Sequence, residues 1–334
     1  MPTSWRTAAL AGGLLVLVAV VIGLAGGRLL RPAAPTPRLV TVTFSPAPTP
    51  SPTPYDEAAL FKQPLSAGCA TPVSIWLVTN GGGLLRFDGS QWAVVDSTLR
   101  SMTDVACTAT TAYAVGLIGT IVLGDETSRQ IRATDLGIND LHGVSAVGDG
   151  ALMVGTNGTV LILAGGEIQP YARGIDEDLN GVVAFSVNSA WAVGDAGITY
   201  RLDQRGWNPV GSGQTKTLRA ISGTTAANVV AVGDAGTVVV WADGQWNPAR
   251  SGVDVVLRDI ITTPGLFIVG DRGTLLTTGA SPDAPFRKID LKTECDLVSV
   301  FARGPDVFIV GRSVSGGGLW RFRDGAVAQH FGGC

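Results

Sequence analysis

The chain has 334 residues, of which 46% are hydrophobic and 15% are charged, and its formal net charge is −3. This composition is typical of a folded protein rather than a disordered one, even though 45 residues are glycine. The charge balance supplies no concentrated basic face, so we expect no nucleic-acid partner.

The N-terminal region is apolar enough to cross a membrane. Between Arg6 and Arg28 lie 21 consecutive uncharged residues, which as a helix would span about 30 Å, the hydrocarbon thickness of a bilayer. We predict that residues 1–31 form a transmembrane signal anchor. A cleaved signal peptide is the alternative, although its apolar region is normally only about 7–15 residues long. The anchor predicts a single-pass cell-membrane protein whose remaining residues are extracytoplasmic.

Residues 32–63 have the composition of a stalk. Eight prolines lie between Pro32 and Pro54, mixed with Thr, Ser and Ala. Such a composition favours extended polyproline II at about 3.1 Å per residue. Within the stalk, residues 38–44 alternate in the manner of a β-strand, which suggests docking on a partner or on the following domain.

Residues 64–334 repeat a short phrase, most clearly Ala-Val-Gly-Asp-Ala-Gly at residues 192–197 and 231–236. The residues at its marker (first glycine) position are Thr79, Gly116, Gly155, Gly194, Gly233, Gly270 and Gly311, at intervals of 37 to 41 residues. Periods of about 40 residues with strand-like content are typical of β-propeller blades. We therefore predict an all-β fold, a monomeric seven-bladed propeller of four-stranded blades.

A second pattern, Leu-x-x-Val/Ile, precedes each marker. It begins at Met102, Leu141, Leu179, Leu218, Leu257 and Leu297, and only the first repeat, near Leu65, departs from it. The runs that follow are rich in Val, Ile, Thr and Trp and are separated by turn residues. We take this pattern to mark the first strand of each blade.

The four cysteines fall into two register-matched pairs. Cys69 and Cys107 lie ten and nine residues before their markers, and Cys295 lies sixteen before Gly311. Cys334 lies sixteen before a virtual eighth marker, which in a closed ring superposes on blade 1. Cross pairs would join opposite ends of a strand, too far apart for a disulfide. We predict disulfides Cys69–Cys107 and Cys295–Cys334 in an oxidising compartment, with four buried thiols as the alternative.

The first strand of a blade lines the central channel in the usual propeller arrangement. The two positions inside the Leu-x-x-Val/Ile pattern provide polar candidates for a binding site at the channel mouth: Asp104, His142, Asn180, Arg219, Arg258 and Asp259, together with Thr103. The alternative interpretation is that these side chains form hydrogen bonds and ion pairs between blades. The aspartates of the Gly-Asp-x-Gly turns, Asp195, Asp234 and Asp271, are interpreted as turn residues rather than as metal ligands.

Catalysis finds little support in the sequence. There are two histidines, His142 and His330, and no Ser-His-Asp order, metal-spaced cluster or phosphate-binding glycine loop. We expect no catalytic residues, no metal and no cofactor. A carbohydrate-active hydrolase or lyase, acting through channel carboxylates, is the alternative.

The Val-Gly-Asp-x-Gly phrase followed by an Asp-Gly turn and Trp, as in Asp243-Gly244-Gln245-Trp246, resembles BNR/YVTN-type propeller repeats. Residues 64–334 are similar in this respect to the photosystem II stability and assembly factor family, although the fuller Asp-Gly-Gly-x-Thr-Trp pattern is absent. The resemblance implies a seven-bladed, extracytoplasmic, non-enzymatic scaffold. Because the repeat is shared by many propellers, we expect a binding or assembly scaffold for a protein or glycan partner.

Overall fold

The computed structural model describes residues 40–41, 57–97, 100–126, 130–133, 139–172, 174–278 and 286–334. The predicted anchor, residues 1–31, lies outside these ranges, as does most of the predicted stalk. Within the described ranges, no helix combines the length and the apolar character needed to cross a bilayer.

Seven antiparallel sheets follow one another along the chain, and in each the four strands of the repeat are in sequence order. Blades 1 to 4 are formed by Leu65–Ala70, Ile75–Thr79, Gly83–Phe87 and Trp92–Ser97; Met102–Cys107, Thr111–Gly116, Thr120–Asp125 and Gln130–Ala133; Leu141–Val147, Gly150–Gly155, Val160–Ala164 and Glu167–Pro170; and Leu179–Ser186, Ser189–Gly194, Thr199–Asp203 and Gly206–Pro209. Blades 5 to 7 are formed by Leu218–Thr225, Asn228–Gly233, Thr237–Ala242 and Gln245–Arg250; Leu257–Ile261, Phe267–Gly270, Thr274–Thr277 and Arg287–Ile289; and Asp296–Arg303, Asp306–Ser313, Gly316–Arg323 and Ala326–Gly332. The predicted all-β, seven-bladed propeller is confirmed.

The apolar cores lie between neighbouring blades. Trp76 of blade 1, for example, packs with Met102 and Val122 of blade 2. The ring is closed in the same way, because Leu65 of blade 1 and Leu319 of blade 7 share one buried cluster. Strands that are apolar on both faces therefore bury each face against a different sheet.

The marker glycines of blades 2 to 6 are required by close backbone approach rather than by a special dihedral angle. A Cβ atom on Gly194 would lie 2.0 Å from the carbonyl oxygen of Asp178, and one on Gly233 would lie 2.0 Å from that of Thr217. Gly194 itself is extended, with φ −162°. The marker strand thus packs directly against the backbone that leads into the first strand, which no other residue type permits.

The two faces of the disc carry different turns. Marker residues pair with the first residue of the first strand, as in Leu218 with Gly233, so the turn between the second and third strands lies on the face where first strands begin. We call this the entry face. The opposite face, which carries the turns between the first and second and the third and fourth strands, is the exit face.

A short segment outside the repeats fills the seam between blades 7 and 1. The helix Glu57–Leu60 is followed by Phe61, and Leu60 and Phe61 are 0% and 5% exposed. The Phe61 ring stacks on Phe331 of blade 7 and meets Trp92 of blade 1 edge to face, with centroids 6.2 Å apart in both pairs. Part of the segment that we predicted as stalk therefore belongs to the propeller core.

A second piece of the predicted stalk extends blade 3. Val40–Thr41 pairs antiparallel with Glu167–Pro170, with Val40 opposite Ile168 and Thr41 opposite Glu167. Blade 3 thus has five strands. Residues 40–41 thus add a strand to the outer edge of this blade, within the segment whose alternation suggested docking.

Both predicted disulfides are present. Cys69–Cys107 joins the first strands of blades 1 and 2, with Cα atoms 5.7 Å apart, and Cys295–Cys334 joins the start of blade 7 to the C-terminus, with Cα atoms 5.8 Å apart. Each closes a loop of about one blade, since the paired residues are 38 and 39 positions apart.

Candidate functional site

Every first strand opens with a β-bulge, and the bulge explains the Leu-x-x-Val/Ile spacing. The register shifts between Leu141 and Gly143, and equivalently in all seven blades. In a regular strand, residues three apart face opposite sides. The extra residue restores a common side, so that Leu141 and Val144 enter the same buried cluster.

The bulge places the two intervening residues at the mouth of the central channel. All six predicted binding residues line one cavity of about 280 Å³: Asp104, His142, Asn180, Arg219, Arg258 and Asp259. Thr103 lines it as well, with Ser66 and Ser299 of blades 1 and 7. The structure therefore brings the predicted set together on the channel axis.

Three of these side chains connect neighbouring blades through the same contact. Thr103 Oγ1, His142 Nδ1 and Asn180 Nδ2 each donate a hydrogen bond to the carbonyl oxygen that opens the next blade, at 2.6, 3.2 and 3.2 Å. The acceptors are Leu141, Leu179 and Leu218. These side chains thus satisfy backbone groups that the bulge leaves unpaired.

The two arginines are paired with the turn aspartates of their own blades. Arg219 Nε lies 2.5 Å from Asp234 Oδ1, and Arg258 Nε donates to Asp271 Oδ1. The Arg258 guanidinium also lies 3.9 Å from Asp296 Oδ2 of blade 7. The turn aspartates thus have a further role: Asp234 and Asp271 hold the channel arginines in place. The third, Asp195, accepts a hydrogen bond from Asn180 Nδ2 at 2.9 Å.

Asp104 and Asp259 occupy the other bulge position and act as links between blades. The two oxygens of Asp104 accept the N–H groups of Val105, 2.8 Å away, and of Val144 in the next blade, 2.9 Å away. Asp259 does the same with Ile260 and Val300, both at 2.8 Å. Each carboxylate therefore bridges a backbone N–H group of its own blade and one of the next blade.

Both carboxyl groups are surrounded by protein, although the narrow channel leaves part of their surface accessible. Desolvation raises the pKa of Asp104 to about 6 and that of Asp259 to about 7. The hydrogen bonds from backbone N–H groups act in the opposite direction and lower both pKa values. The charge of Asp104 contributes to the raised pKa of Asp259. The two groups therefore repel each other across the channel when both are ionised.

We expect Asp259→Asn to change the pH dependence of stability. Because the folded-state pKa is raised above the unfolded value, the wild-type carboxyl contributes most stability below about pH 4 and loses that contribution as the pH rises through about 7. The free energy of unfolding of wild type minus that of the variant should fall between pH 4 and pH 8, measured by urea unfolding. A pH-independent difference would contradict the raised pKa.

Arg312 was missed by the sequence analysis and lies beside the site. It follows the marker Gly311, in the place held by the turn aspartates in blades 4 to 6, and its Cα pairs with Asp296. Burial and the positive charge of Arg258 lower its pKa, and the negative charges of Asp296 and Asp271 act in the opposite direction. Among the described residues, no hydrogen bond or ion pair fixes its guanidinium. The sequence feature that could have identified Arg312 is a basic residue directly after the marker, where blades 4 to 6 have an aspartate.

The fold and the polar channel mouth define the chain as a disulfide-bonded, seven-bladed β-propeller. No protein-family model and no curated protein matches it. Solved structures do: the WD40 β-propeller domain of Doa1 has a TM-score of 0.67 at 12% identity, covering 79% of this chain and 94% of that one. A YCF48 structure bound to a D1 peptide has a TM-score of 0.64 at 14% identity, covering 79% and 92%.

A YCF48 structure from Cyanidioschyzon merolae is similar as well, with a TM-score of 0.63 at 14% identity, covering 79% of this chain and 96% of that one. At such identities the likeness shows the fold alone. The BNR/YVTN repeat type remains a prediction.

Proposed function

We propose that this protein is a membrane-tethered, extracytoplasmic and non-catalytic scaffold whose entry face binds a polypeptide. The observation that carries the proposal is the channel mouth itself, where seven blades bring polar side chains around one cavity and leave Arg312 without a fixed partner. A half-buried guanidinium of this kind is suited to receiving a carboxylate from outside.

The compartment is supported by the two disulfides, since such bonds persist in oxidising environments. Propellers similar to this one bind protein segments, as the YCF48 complex with a D1 peptide illustrates for that protein. The membrane tether rests on the apolar run between Arg6 and Arg28.

The carboxylates favour binding over hydrolysis. A hydrolytic pair needs one carboxyl free to donate a proton and one free to act as base or nucleophile. In Asp104 and Asp259, each oxygen already accepts a backbone N–H group. We therefore assign these two residues to the architecture of the channel.

The proposal predicts that Arg312→Gln weakens partner capture by about tenfold, the effect of losing one charged hydrogen bond. The full chain is used as bait in membranes from its own cells, and the partner recovered by the wild type is then quantified with each variant. Arg205→Gln is the matched control, because Arg205 is an exposed arginine in an exit-face turn of blade 4. Equal loss with both variants, or with neither, would contradict an entry-face site.

A further inference from the structure

The fourth strand of each propeller blade is a sheet edge, with a row of backbone N–H and C=O groups on its outer side. Natural proteins protect such edges with short strands, prolines, charged side chains, inward-pointing charges or a covering segment. The described fourth strands of blades 1 to 6 each show at least one of these devices. That of blade 3 is covered by Val40–Thr41, and that of blade 6 has only three residues, of which two are Arg287 and Lys288.

Blades 1, 2, 4 and 5 are protected in other ways. The fourth strands of blades 2 and 4 have only four residues, and that of blade 4 ends in Pro209. The fourth strand of blade 5 contains Pro248 and Arg250. That of blade 1 carries the buried Asp96 next to a register shift. None of these edges presents a long, uncharged run for pairing.

The fourth strand of blade 7, Ala326–Gly332, lacks these protections. It has seven residues, more than any other fourth strand that the structure describes, and contains no Asp, Glu, Lys, Arg or Pro. Residues 326–330 are all exposed. Its pairing with the third strand is irregular once, at Ala328, after which Gln329–Gly332 pair in register with Gly318–Arg321. Among the described residues, no strand pairs with its outer side.

The molecule itself shows that a blade accepts a further strand at this position. Val40 and Thr41 pair antiparallel with Ile168 and Glu167 on the fourth strand of blade 3. The four strands of that blade keep their order when the fifth is added. Strand addition at an outer edge is therefore a contact that this fold accommodates, with main-chain hydrogen bonds as its source of affinity.

The neutrality of the blade 7 edge determines which partner it fits. When two copies of one strand pair about a two-fold axis, side chains near the axis lie opposite themselves or a close neighbour, so any charge would face a like charge. Ala326–Gly332 avoids this repulsion, because its single ionisable residue is His330, whose pKa is lowered by burial. Arg287 and Lys288 would make the same contact unfavourable at blade 6. The edge of blade 7 is thus complementary to a second copy of itself.

We propose that two copies of this chain associate through the fourth strands of their blades 7, which pair antiparallel about a two-fold axis and form one continuous sheet. This dimer takes the place of the monomer that the sequence predicted. The contact lies on the outer edge of the disc and does not involve the entry face. It therefore goes beyond the proposed function and stands or fails independently of partner capture.

Cysteine scanning tests the geometry of the contact. The four native cysteines are paired with each other, so one introduced cysteine is the only free thiol. A residue on the axis has its Cα about 5 Å from its copy, within disulfide range, whereas the next residue is already about 8 Å away. Among Ala328→Cys, Gln329→Cys and His330→Cys, in the middle of the strand, oxidation of the full chain in its own membranes should crosslink one position several-fold more than the others.

Val94→Cys is the control for this scan, since Val94 lies on the fourth strand of blade 1 and is 39% exposed. It should give no crosslinked dimer. Equal yields at the three blade 7 positions and at Val94, or no crosslinked dimer at any of them, overturn the inference.

Charge variants measure the affinity, by sedimentation velocity of the full chain in detergent over a range of concentrations. Gln329→Lys and Gln329→Glu should each raise the dissociation constant of the dimer by about tenfold, because like charges then meet near the axis. An equimolar mixture of the two variants should restore it. Because Gln329 is exposed, neither variant should change the melting temperature.

Val94→Lys is the matched control and should leave the dimer unchanged. A wild-type chain that stays monomeric at every concentration, including one whose blade 7 edge pairs only with a different protein, overturns the inference. A dimer that neither Gln329 variant weakens overturns it as well.

Discussion

Replacing Phe61 with alanine is expected to destabilise the propeller by about 3–5 kcal/mol, the usual cost of emptying a buried aromatic site. Phe61 is buried between blades 7 and 1 and contacts Phe331 and Trp92. Its carbonyl oxygen also accepts the N–H of Gly317 at 2.8 Å. Since every described strand of blades 1 and 7 comes from its own repeat, no strand exchange holds the seam among the residues that the structure describes.

Chemical denaturation of the full chain measures this loss. Val327→Ala is the control, because Val327 lies on the outermost strand of blade 7 and is 44% exposed. The effect of this substitution on the free energy of unfolding should stay within about 0.5 kcal/mol. If Phe61→Ala were no more destabilising than Val327→Ala, the segment before blade 1 would not be a closing element.

Loss of the Cys295–Cys334 disulfide is expected to cost about 4 kcal/mol, from the chain entropy released when a 39-residue loop opens. The bond attaches the C-terminal residue to the start of blade 7, next to Thr293, whose Oγ1 donates to the carbonyl oxygen of Cys334 at 3.3 Å. The double variant Cys295→Ser/Cys334→Ser should therefore melt at a clearly lower temperature than wild type.

The Cys69–Cys107 bond provides an internal comparison. It closes a loop of almost the same length, 38 residues, so the entropic account predicts a similar loss for Cys69→Ser/Cys107→Ser. Peptide mapping without reductant establishes both pairings first. A melting temperature unaffected by either double variant would contradict the stabilising role of the bonds.

The repeat made most of the fold predictable. Its seven copies predicted seven blades, and its register paired Cys69 with Cys107 and Cys295 with Cys334, as the structure has them. Both results depend only on the equivalence of positions in successive blades. The positions of side chains that are equivalent in every blade could therefore be predicted from a single sequence.

The departures from the repeat were not predictable. Gly68 replaces the usual Val/Ile in blade 1 because a Cβ atom there would lie 2.4 Å from the Phe301 ring of blade 7. Phe61 sits in a segment with no counterpart in other blades. That Arg312 belongs beside the site can be inferred only once the structure shows that the turn aspartates face the channel mouth. Each depends on contacts between distant parts of the chain, which no local pattern records.

The channel-mouth candidates illustrate a mixed outcome. Their convergence on one cavity followed from the strand pattern, whereas their partners required the structure. Thr103, His142 and Asn180 bind backbone carbonyls of the next blade. The interblade hydrogen bonds that the sequence analysis gave as the alternative interpretation are therefore present. Recognition of a partner is left to the neighbouring groups at the channel mouth.

Hydrogen exchange of the full chain, with and without the partner recovered by wild-type capture, tests the central claim most directly. The account predicts slower exchange in the entry-face turns 117–119 and 313–315 when the partner is bound, and no change in the exit-face turns at 71–74 and 187–188. Protection confined to the exit face or to the outermost strands would contradict binding at the entry face.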